Sequence, residues 1–192
     1  AMGTYVTISA SSHEAIDKAF LLVHDIEMSL SSYNPKALIF LLNKDGEVKL
    51  DAYVYEALLF SRNYYEKTDG YFDVTIGSVT YDLFGFGMEE QILKDAKDAK
   101  IGMSGLSFSQ DEAKAVRGIK IDLGGMGKGY TVDKVSQYFK SIGISDAVVA
   151  ASGDIRCLSK CVIDIQDPFL EDGVLMSFET KMQDVGISTS GN

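Results

Sequence analysis

The stretch IKIDLGGMGKGY, residues 119–130, predicts a strand that enters a glycine-rich turn and then the first turn of a helix. Glycines at four of the six positions from 124 to 129 let a ligand approach the backbone closely, and N–H groups at a helix start favour an anion. Lys128 adds a mobile positive charge. The segment fits a phosphate-binding turn, and it fits equally a tight strand-to-helix connection that binds nothing.

Two familiar nucleotide-binding loops do not match this stretch. A P-loop requires glycine where Asp122 stands and Ser or Thr where Gly129 stands. The dinucleotide-binding fingerprint, counted from Gly125 and Gly127, requires glycine at the position of Tyr130. A nucleotide bound here would therefore use another kind of loop.

Elements on both sides of this stretch indicate an α+β fold in one domain, residues 1–192, with a mixed, largely antiparallel sheet and flanking helices. Apolar residues three and four apart predict a helix from Lys128 to Ile142, ended by Gly143. Three other helices are predicted. The first begins at a capping box formed by Ser11 and Glu14 and runs to about Ser29. The second covers Ala52 to Lys67 and is capped by Asp51, and the third covers Glu89 to Ala99. The predicted strands are Tyr5 to Ala10, short strands at Leu106, Val116 and Ile119 to Leu123, and then Ala147 to Ala151, Asp154 to Leu158, Val162 to Gln166, Leu175 to Glu179 and Val185 to Ser188, with a short apolar segment at Leu38 to Asn43.

Composition narrows the possible partners. The chain has 28 acidic and 18 basic residues, a net charge of −10, and its basic residues are scattered, so a nucleic-acid partner is not expected. Apolar runs such as Leu38 to Leu42 are far shorter than the roughly 20 residues of a membrane span, so none is expected. The predicted first strand begins within a few residues of Ala1, with no basic and apolar signal segment before it, so we expect that any export signal was removed or never present.

The two cysteines, Cys157 and Cys161, flank a short turn between predicted strands. That geometry would permit a disulfide, but two unpaired thiols are the favoured prediction. Without a histidine nearby, the pair is a poor zinc site.

Seven blocks in order along the chain resemble the motifs of the ApbE family of flavin transferases. The run DLGGMGKGYTVD, residues 122–133, is similar to the family signature, in which alanine usually stands at the position of Gly127. The other blocks are MGT at 2–4, SYNP at 32–35 followed by LN at 42–43, TDGYFDVT at 68–75, ASGDIR at 151–156, DIQDP at 164–168 and STSG at 188–191.

The resemblance implies an enzyme that binds FAD with Mg²⁺ and moves FMN to a threonine of an acceptor protein, such as subunits of NADH:quinone reductase or Rnf-type complexes. A FAD pyrophosphatase, which releases FMN and AMP, would share the site and is a second possible function. A non-catalytic FAD-binding module is a third. Relatives are mostly exported bacterial lipoproteins, so a periplasmic, lipid-anchored location is implied, with a cytoplasmic location as the alternative.

The resemblance also implies roles for individual residues. Those expected to bind FAD are Met2 and Tyr33 beside the adenosine or flavin, Tyr71, Phe72 and Asp73 at a ribityl, ribose or adenine group, Gly125 and Lys128 at the pyrophosphate, Asp133 at a ligand hydroxyl, and Thr189 and Ser190 on the flavin side. The backbone carbonyl of Gly127 is the implied metal ligand, and no catalytic residue is assigned. Ordinary structural roles remain open, with Phe72 in the core and Lys128 and Asp133 as surface charges.

Three departures from the family pattern affect these expectations. Lys36-Ala37 stands where Ser-Glu is common, and Ser152 replaces the first glycine of a Gly-Gly-Asp turn. The chain reaches Asn192 without the histidine-containing segment and the Asp and Thr that complete the family's Mg²⁺ site, so the domain is expected to lack its C-terminal part. His13 and His24 lie in no motif.

Overall fold

A computed structural model describes residues 3–81, 99–170 and 173–189. Contacts between Cα atoms divide the chain into two compact units, one formed by Ala1–His24 with Lys128–Asn192 and the other by Asp25–Gly127. Helices and antiparallel sheets occur in the chain, which confirms the α+β class. The single domain stays a prediction. The elements are β1 (Val6–Ala10), α1 (His13–Leu30), α2 (Leu38–Asp45), β2 (Glu47–Lys49), α3 (Ala52–Lys67), α4 (Gly77–Thr80), β3 (Leu106–Phe108), β4 (Glu112–Ala115), α5 (Gly124–Ser141), β5 (Ala147–Ala151), β6 (Asp154–Cys157), β7 (Val162–Gln166), β8 (Val174–Glu179) and β9 (Val185–Ser188).

The first unit is built on a four-stranded antiparallel sheet in the order β1-β5-β6-β9, with a separate β7-β8 hairpin. Alternate residues of β5 are buried, as a strand with one face on a core requires. They pack with the apolar stripes of α1 and α5, whose fully buried members include Val23, Val135 and Phe139. The apolar residues at helical spacing in α1 and α5 and the alternating buried residues of β5 therefore form one core.

The second unit combines α2, α3 and a β2-β4-β3 sheet. Asp51 caps α3 as predicted, because its Oδ1 accepts a hydrogen bond from the Val54 amide at 2.8 Å. The predicted strand at Ile119 to Leu123 is wrong, since only an isolated bridge between Ile76 and Lys120 forms there. The Asn43 side chain takes the place of a neighbouring strand by bonding the Ile121 carbonyl at 2.8 Å and the Ile121 amide at 2.6 Å.

Several element boundaries differ from the prediction. The segment predicted only as apolar is the helix α2, and α5 begins at Gly124 instead of Lys128, so the glycine-rich turn is itself helical. Ser12, not Ser11, accepts the capping hydrogen bond of α1, from the Ala15 amide at 3.2 Å. The helix predicted at 89–99 lies almost wholly outside the described residues.

The prediction of two free thiols is wrong, because a disulfide joins Cys157 and Cys161. Cys157 ends β6 and Cys161 directly precedes β7, which brings their Cα atoms to 6.1 Å, within the range that a disulfide spans. Among the described helices, none has both the length and the apolar character needed to cross a lipid bilayer.

Candidate functional site

The N-terminal end of α5 carries the predicted phosphate site. The Gly124 amide donates to Asp122 Oδ1 at 2.8 Å, and the Met126 and Gly127 amides both donate to the Leu123 carbonyl, at 3.0 and 2.7 Å. Among the residues that the structure describes, the Gly125 amide has no acceptor. One exposed first-turn N–H therefore remains for an anion, beside the carboxylate of Asp122.

Asp122 is held on its other side by α4. Thr80 Oγ1 donates to Asp122 Oδ2 at 2.7 Å, so each carboxylate oxygen accepts one hydrogen bond. The backbone beside it is fixed as well, because the Asp122 amide donates to the Val74 carbonyl at 2.7 Å. Asp122 thereby joins α4 to the start of α5.

Lys128 and Asp133 lie further along α5 and differ in their surroundings. Lys128 is half-buried, and its ammonium group forms no ion pair or hydrogen bond within the described part of the chain. Asp133 instead pairs with Arg156, its Oδ1 lying 3.1 Å from the guanidinium. The Asp133 carboxylate is therefore engaged by the protein, whereas Lys128 is available to a ligand.

Arg156 belongs to a charged network in the first unit. Its guanidinium also binds Asp184 at 2.8 Å, and Asp184 accepts a hydrogen bond from Lys140 at 2.9 Å. The hydrogen bond from Lys140, followed by that from Arg156, holds the pKa of Asp184 below its usual value. The network ties α5 to β6 and to the turn before β9, which is a structural role.

The segment Tyr71 to Asp73 follows α3 and its three side chains differ in exposure. Tyr71 is 95 % exposed, while Phe72 is half-buried. The Phe72 ring lies close to Gly125, since a Cβ added to that glycine would be 3.6 Å from the ring. Asp73 Oδ1 accepts from both the amide and the hydroxyl of Thr75, at 2.8 and 2.7 Å. The structure thus brings Phe72 and Gly125 together, and it shows Asp73 organising its own loop.

Tyr33 lies at a cleft of about 400 Å³ in the second unit. Tyr33 as a residue is 61 % exposed, and its ring meets the Tyr81 ring edge to face, with centroids 5.3 Å apart. The Tyr81 hydroxyl donates to Ser32 Oγ at 2.5 Å. Burial, followed by hydrogen bonding to the neighbouring Asp122 carboxylate and the charge of that carboxylate, raises the pKa of Tyr81. The cleft is lined by Ser32, Tyr33, Phe40, Asn43, Lys44, Thr80, Tyr81 and Lys120.

Thr189 lies at the turn between β5 and β6 in the first unit. Its amide donates to the Gly153 carbonyl at 3.0 Å, and a Cβ on Gly153 would come within 2.5 Å of the Thr189 carbonyl oxygen. Ser152 has φ of +56°, which explains why glycine suits this position in the family motif. The predicted site residues Met2 and Ser190 lie outside the described residues.

Sequence reasoning gave no role to four residues that shape this region: Asn43, Thr80, Tyr81 and Asp122. Asn43 and Asp122 stand inside the motif blocks, and a helix placed at Gly124 would have made Asp122 a capping candidate, because a carboxylate just before a helix is a capping signal. Thr80 and Tyr81 lie in no block, and no local pattern singles them out.

The described residues do not by themselves supply a complete cation site. Within residues 3–81, 99–170 and 173–189, no group of three or more His, Cys, Asp or Glu side chains is placed to hold a metal ion. Gly127 is buried in the first turn of α5 and its amide is bonded to Leu123. Its carbonyl as a metal ligand stays a prediction.

Comparison with known proteins connects this arrangement to one family. The model of the ApbE family matches residues 2–192. The chain is 24 % identical over 143 residues to the FAD:protein FMN transferase of Haemophilus influenzae and 32 % identical over 99 residues to that of Vibrio cholerae. These matches take in 65 % and 46 % of this chain but only 41 % and 29 % of the two relatives, so they span less than half of either relative.

Solved structures share the fold. The apbe protein of Thermotoga maritima superposes with a TM-score of 0.83 at 25 % identity, over 100 % of this chain and 68 % of that one. The flavin transferase ApbE of Vibrio cholerae gives 0.81 at 20 % identity, over 99 % and 69 % of the two chains.

Proposed function

We propose that this chain, which belongs to the ApbE family, acts as an FAD:protein FMN transferase. In the proposed reaction a threonine hydroxyl of an acceptor protein attacks the phosphorus on the flavin side of FAD. The pyrophosphate bond breaks, AMP leaves, and the hydroxyl proton passes to a base. The family match over residues 2–192, with curated relatives of that name, carries the proposal.

The start of α5 supports a role in holding the pyrophosphate. The exposed Gly125 amide has no acceptor among the described residues, and Lys128 lies about 4.5 Å further along the helix axis, at about 1.5 Å per residue. Both contribute positive potential where phosphate oxygens would bind. The Tyr33 ring at the cleft offers an aromatic surface for the flavin or the adenine.

Dependence on Mg²⁺ is part of the proposal, and the charge balance supports it. Asp122 adds a negative charge directly beside the Gly124 amide. Without a metal ion, only Lys128 and the helix terminus would offset the charge of the pyrophosphate. Bound Mg²⁺ supplies positive charge that offsets the phosphate oxygens. Since the described residues lack a set of carboxylate ligands, no step is assigned to the ion.

A periplasmic location is also proposed. The disulfide between Cys157 and Cys161 supports it, because such bonds persist in oxidising compartments and are rare in the cytosol. Measuring free thiols in protein isolated under alkylating conditions from its own cells tests the proposal, and fully reduced cysteines would contradict it.

Flavin fluorescence titration tests the binding step. We expect saturable binding of FAD in preference to NAD and ATP, weakened by Lys128→Ala by about 1.5 to 3 kcal/mol through loss of a charge-assisted contact. Lys160→Ala, which removes an equal charge from the exposed turn between β6 and β7, is the matched control and should bind normally. Binding of ATP or NAD without FAD would reject the proposal.

The transfer step needs a second measurement. With FAD, Mg²⁺ and a threonine-containing acceptor, we expect AMP release together with a gain of one FMN in acceptor mass, and loss of both with EDTA. AMP release without acceptor modification would assign a FAD pyrophosphatase instead.

A further inference from the structure

The loop that carries Tyr33 is organised by its own polar side chains. Ser31 Oγ accepts from the amides of Tyr33 and Asn34, at 3.2 and 3.1 Å, and Asn34 Oδ1 accepts from the Lys36 amide at 3.0 Å. These local bonds define the turn. They involve the backbone of Tyr33 and not its ring.

Tyr81 contacts this loop from a distant position in the sequence. Its ring meets the Tyr33 ring at 5.3 Å with an interplanar angle of 87°, and its hydroxyl donates to Ser32, the residue before Tyr33. A tyrosine hydroxyl is protonated at neutral pH and can therefore donate, and burial raises the pKa of Tyr81 further.

Tyr81 in turn is placed by α4. It directly follows α4, and its amide donates to the Gly77 carbonyl at 3.0 Å. The preceding residue, Thr80, bonds Asp122 at the start of α5. One helical turn therefore connects the Tyr33 loop with the proposed phosphate site.

We propose that Tyr81 is a positioning residue that holds the Tyr33 ring at the cleft for the aromatic part of a flavin nucleotide. The inference rests on the proposed function for the identity of that ligand. Tyr81 acts through Tyr33 and Ser32, by ring contact and by hydrogen bond, and the hydroxyl is the part that phenylalanine would remove. Tyr81→Phe should therefore have a smaller effect than Tyr81→Leu.

A first experiment needs no ligand. The sequence contains no tryptophan, so Tyr33→Trp introduces a single indole at the cleft. In that background Tyr81→Leu should lower the fluorescence anisotropy of the indole, because the ring gains motion on the nanosecond scale. The control is Tyr55→Leu, which removes a half-buried ring that packs on Phe108 away from the cleft. Equal anisotropy in the Tyr81→Leu and Tyr55→Leu proteins would overturn the inference.

A second experiment is a double-mutant cycle on FAD binding. Tyr81→Leu should weaken FAD binding by about five- to tenfold, the combined effect of one aromatic pair and one hydrogen bond. In a Tyr33→Ala background the same substitution should change the affinity by less than about twofold, because the residue it positions is gone. A general structural defect would instead weaken binding equally in both backgrounds, and that result would overturn the inference while leaving the proposed function intact. Absence of saturable FAD binding in the unsubstituted protein would reject the proposed function, and the indole measurement would then decide the role of Tyr81 alone.

Discussion

Replacing Gly77 with alanine tests how closely α4 is packed on the segment that leads into α5. A Cβ at this position would lie 2.6 Å from the Lys120 carbonyl oxygen and 2.7 Å from its carbon, both backbone atoms. Ordinary contact begins at 3.4 Å, so the two segments would have to separate by about 0.8 Å. No side-chain rotation can relieve the overlap.

The expected cost follows from what this separation disturbs. Overpacking of a close contact costs about 1 to 3 kcal/mol. The Asp122 amide bond to Val74, at 2.7 Å, lies on the displaced segment, and a hydrogen bond contributes about 1 kcal/mol. Alanine returns up to about 1 kcal/mol by its higher helix propensity. We therefore expect the free energy of unfolding to fall by about 1 to 4 kcal/mol.

Urea denaturation followed by circular dichroism measures this change. The matched control is Gly129→Ala, since a Cβ there meets nothing within 4 Å and the position is inside α5. It should gain about 0.5 to 1 kcal/mol. A loss below about 0.5 kcal/mol for Gly77→Ala would refute the close approach of α4, because that is the range of neutral surface substitutions.

Three further predictions concern stability. Asp51→Ala should lower the free energy of unfolding, measured by urea denaturation, by about 1 to 2 kcal/mol, since it removes the cap of α3 and an acceptor of the buried Ser29 hydroxyl. An equal loss for Asp51→Asn, which can still cap, would contradict a capping role. Ser152→Gly should raise the unfolding free energy by up to about 1 kcal/mol by relieving positive φ, and a lower thermal midpoint would refute this. The pKa of Asp184 is lowered in the folded state, so its stabilisation is present above its unfolded value of about 3.8 and is lost as pH falls through the lower folded pKa. Asp184→Asn should therefore flatten the acid limb of the stability profile, and an unchanged limb would show that the ion pairs are ineffective.

Elements with local signals were predicted closely from the sequence. The helix α3 begins after Asp51 and ends at Lys67 as expected, because a capping carboxylate and the Thr68-Asp69-Gly70 stop are both read from neighbouring residues. The late strands were predicted within one residue of their observed bounds. The early start of α5 was missed because glycine disfavours helix by about 1 kcal/mol, and the bond from the Gly124 amide to Asp122 joins residues that the sequence did not place at a helix start.

The candidate site was predicted less completely than the fold. Family resemblance predicted ligand-binding roles for Tyr33, Phe72 and Lys128, and those roles stay predictions. Two bonds that shape the region, from Thr80 to Asp122 and from Tyr81 to Ser32, join residues 42 and 49 positions apart. Single side-chain contacts across such distances leave no periodic trace in a sequence.

The helix α4 shows why these distant contacts act together. It has four residues, too few to be stable as an isolated helix, so it exists because its surroundings hold it. Gly77 lies against Lys120, Thr80 bonds Asp122, and Tyr81 meets the Tyr33 loop. A displacement of this one turn therefore moves both the carboxylate at the start of α5 and the aromatic ring at the cleft. For the same reason Gly77→Ala should lower FAD affinity as well as stability, whereas Gly129→Ala, which displaces no neighbouring atom, should leave α4 and its contacts in place.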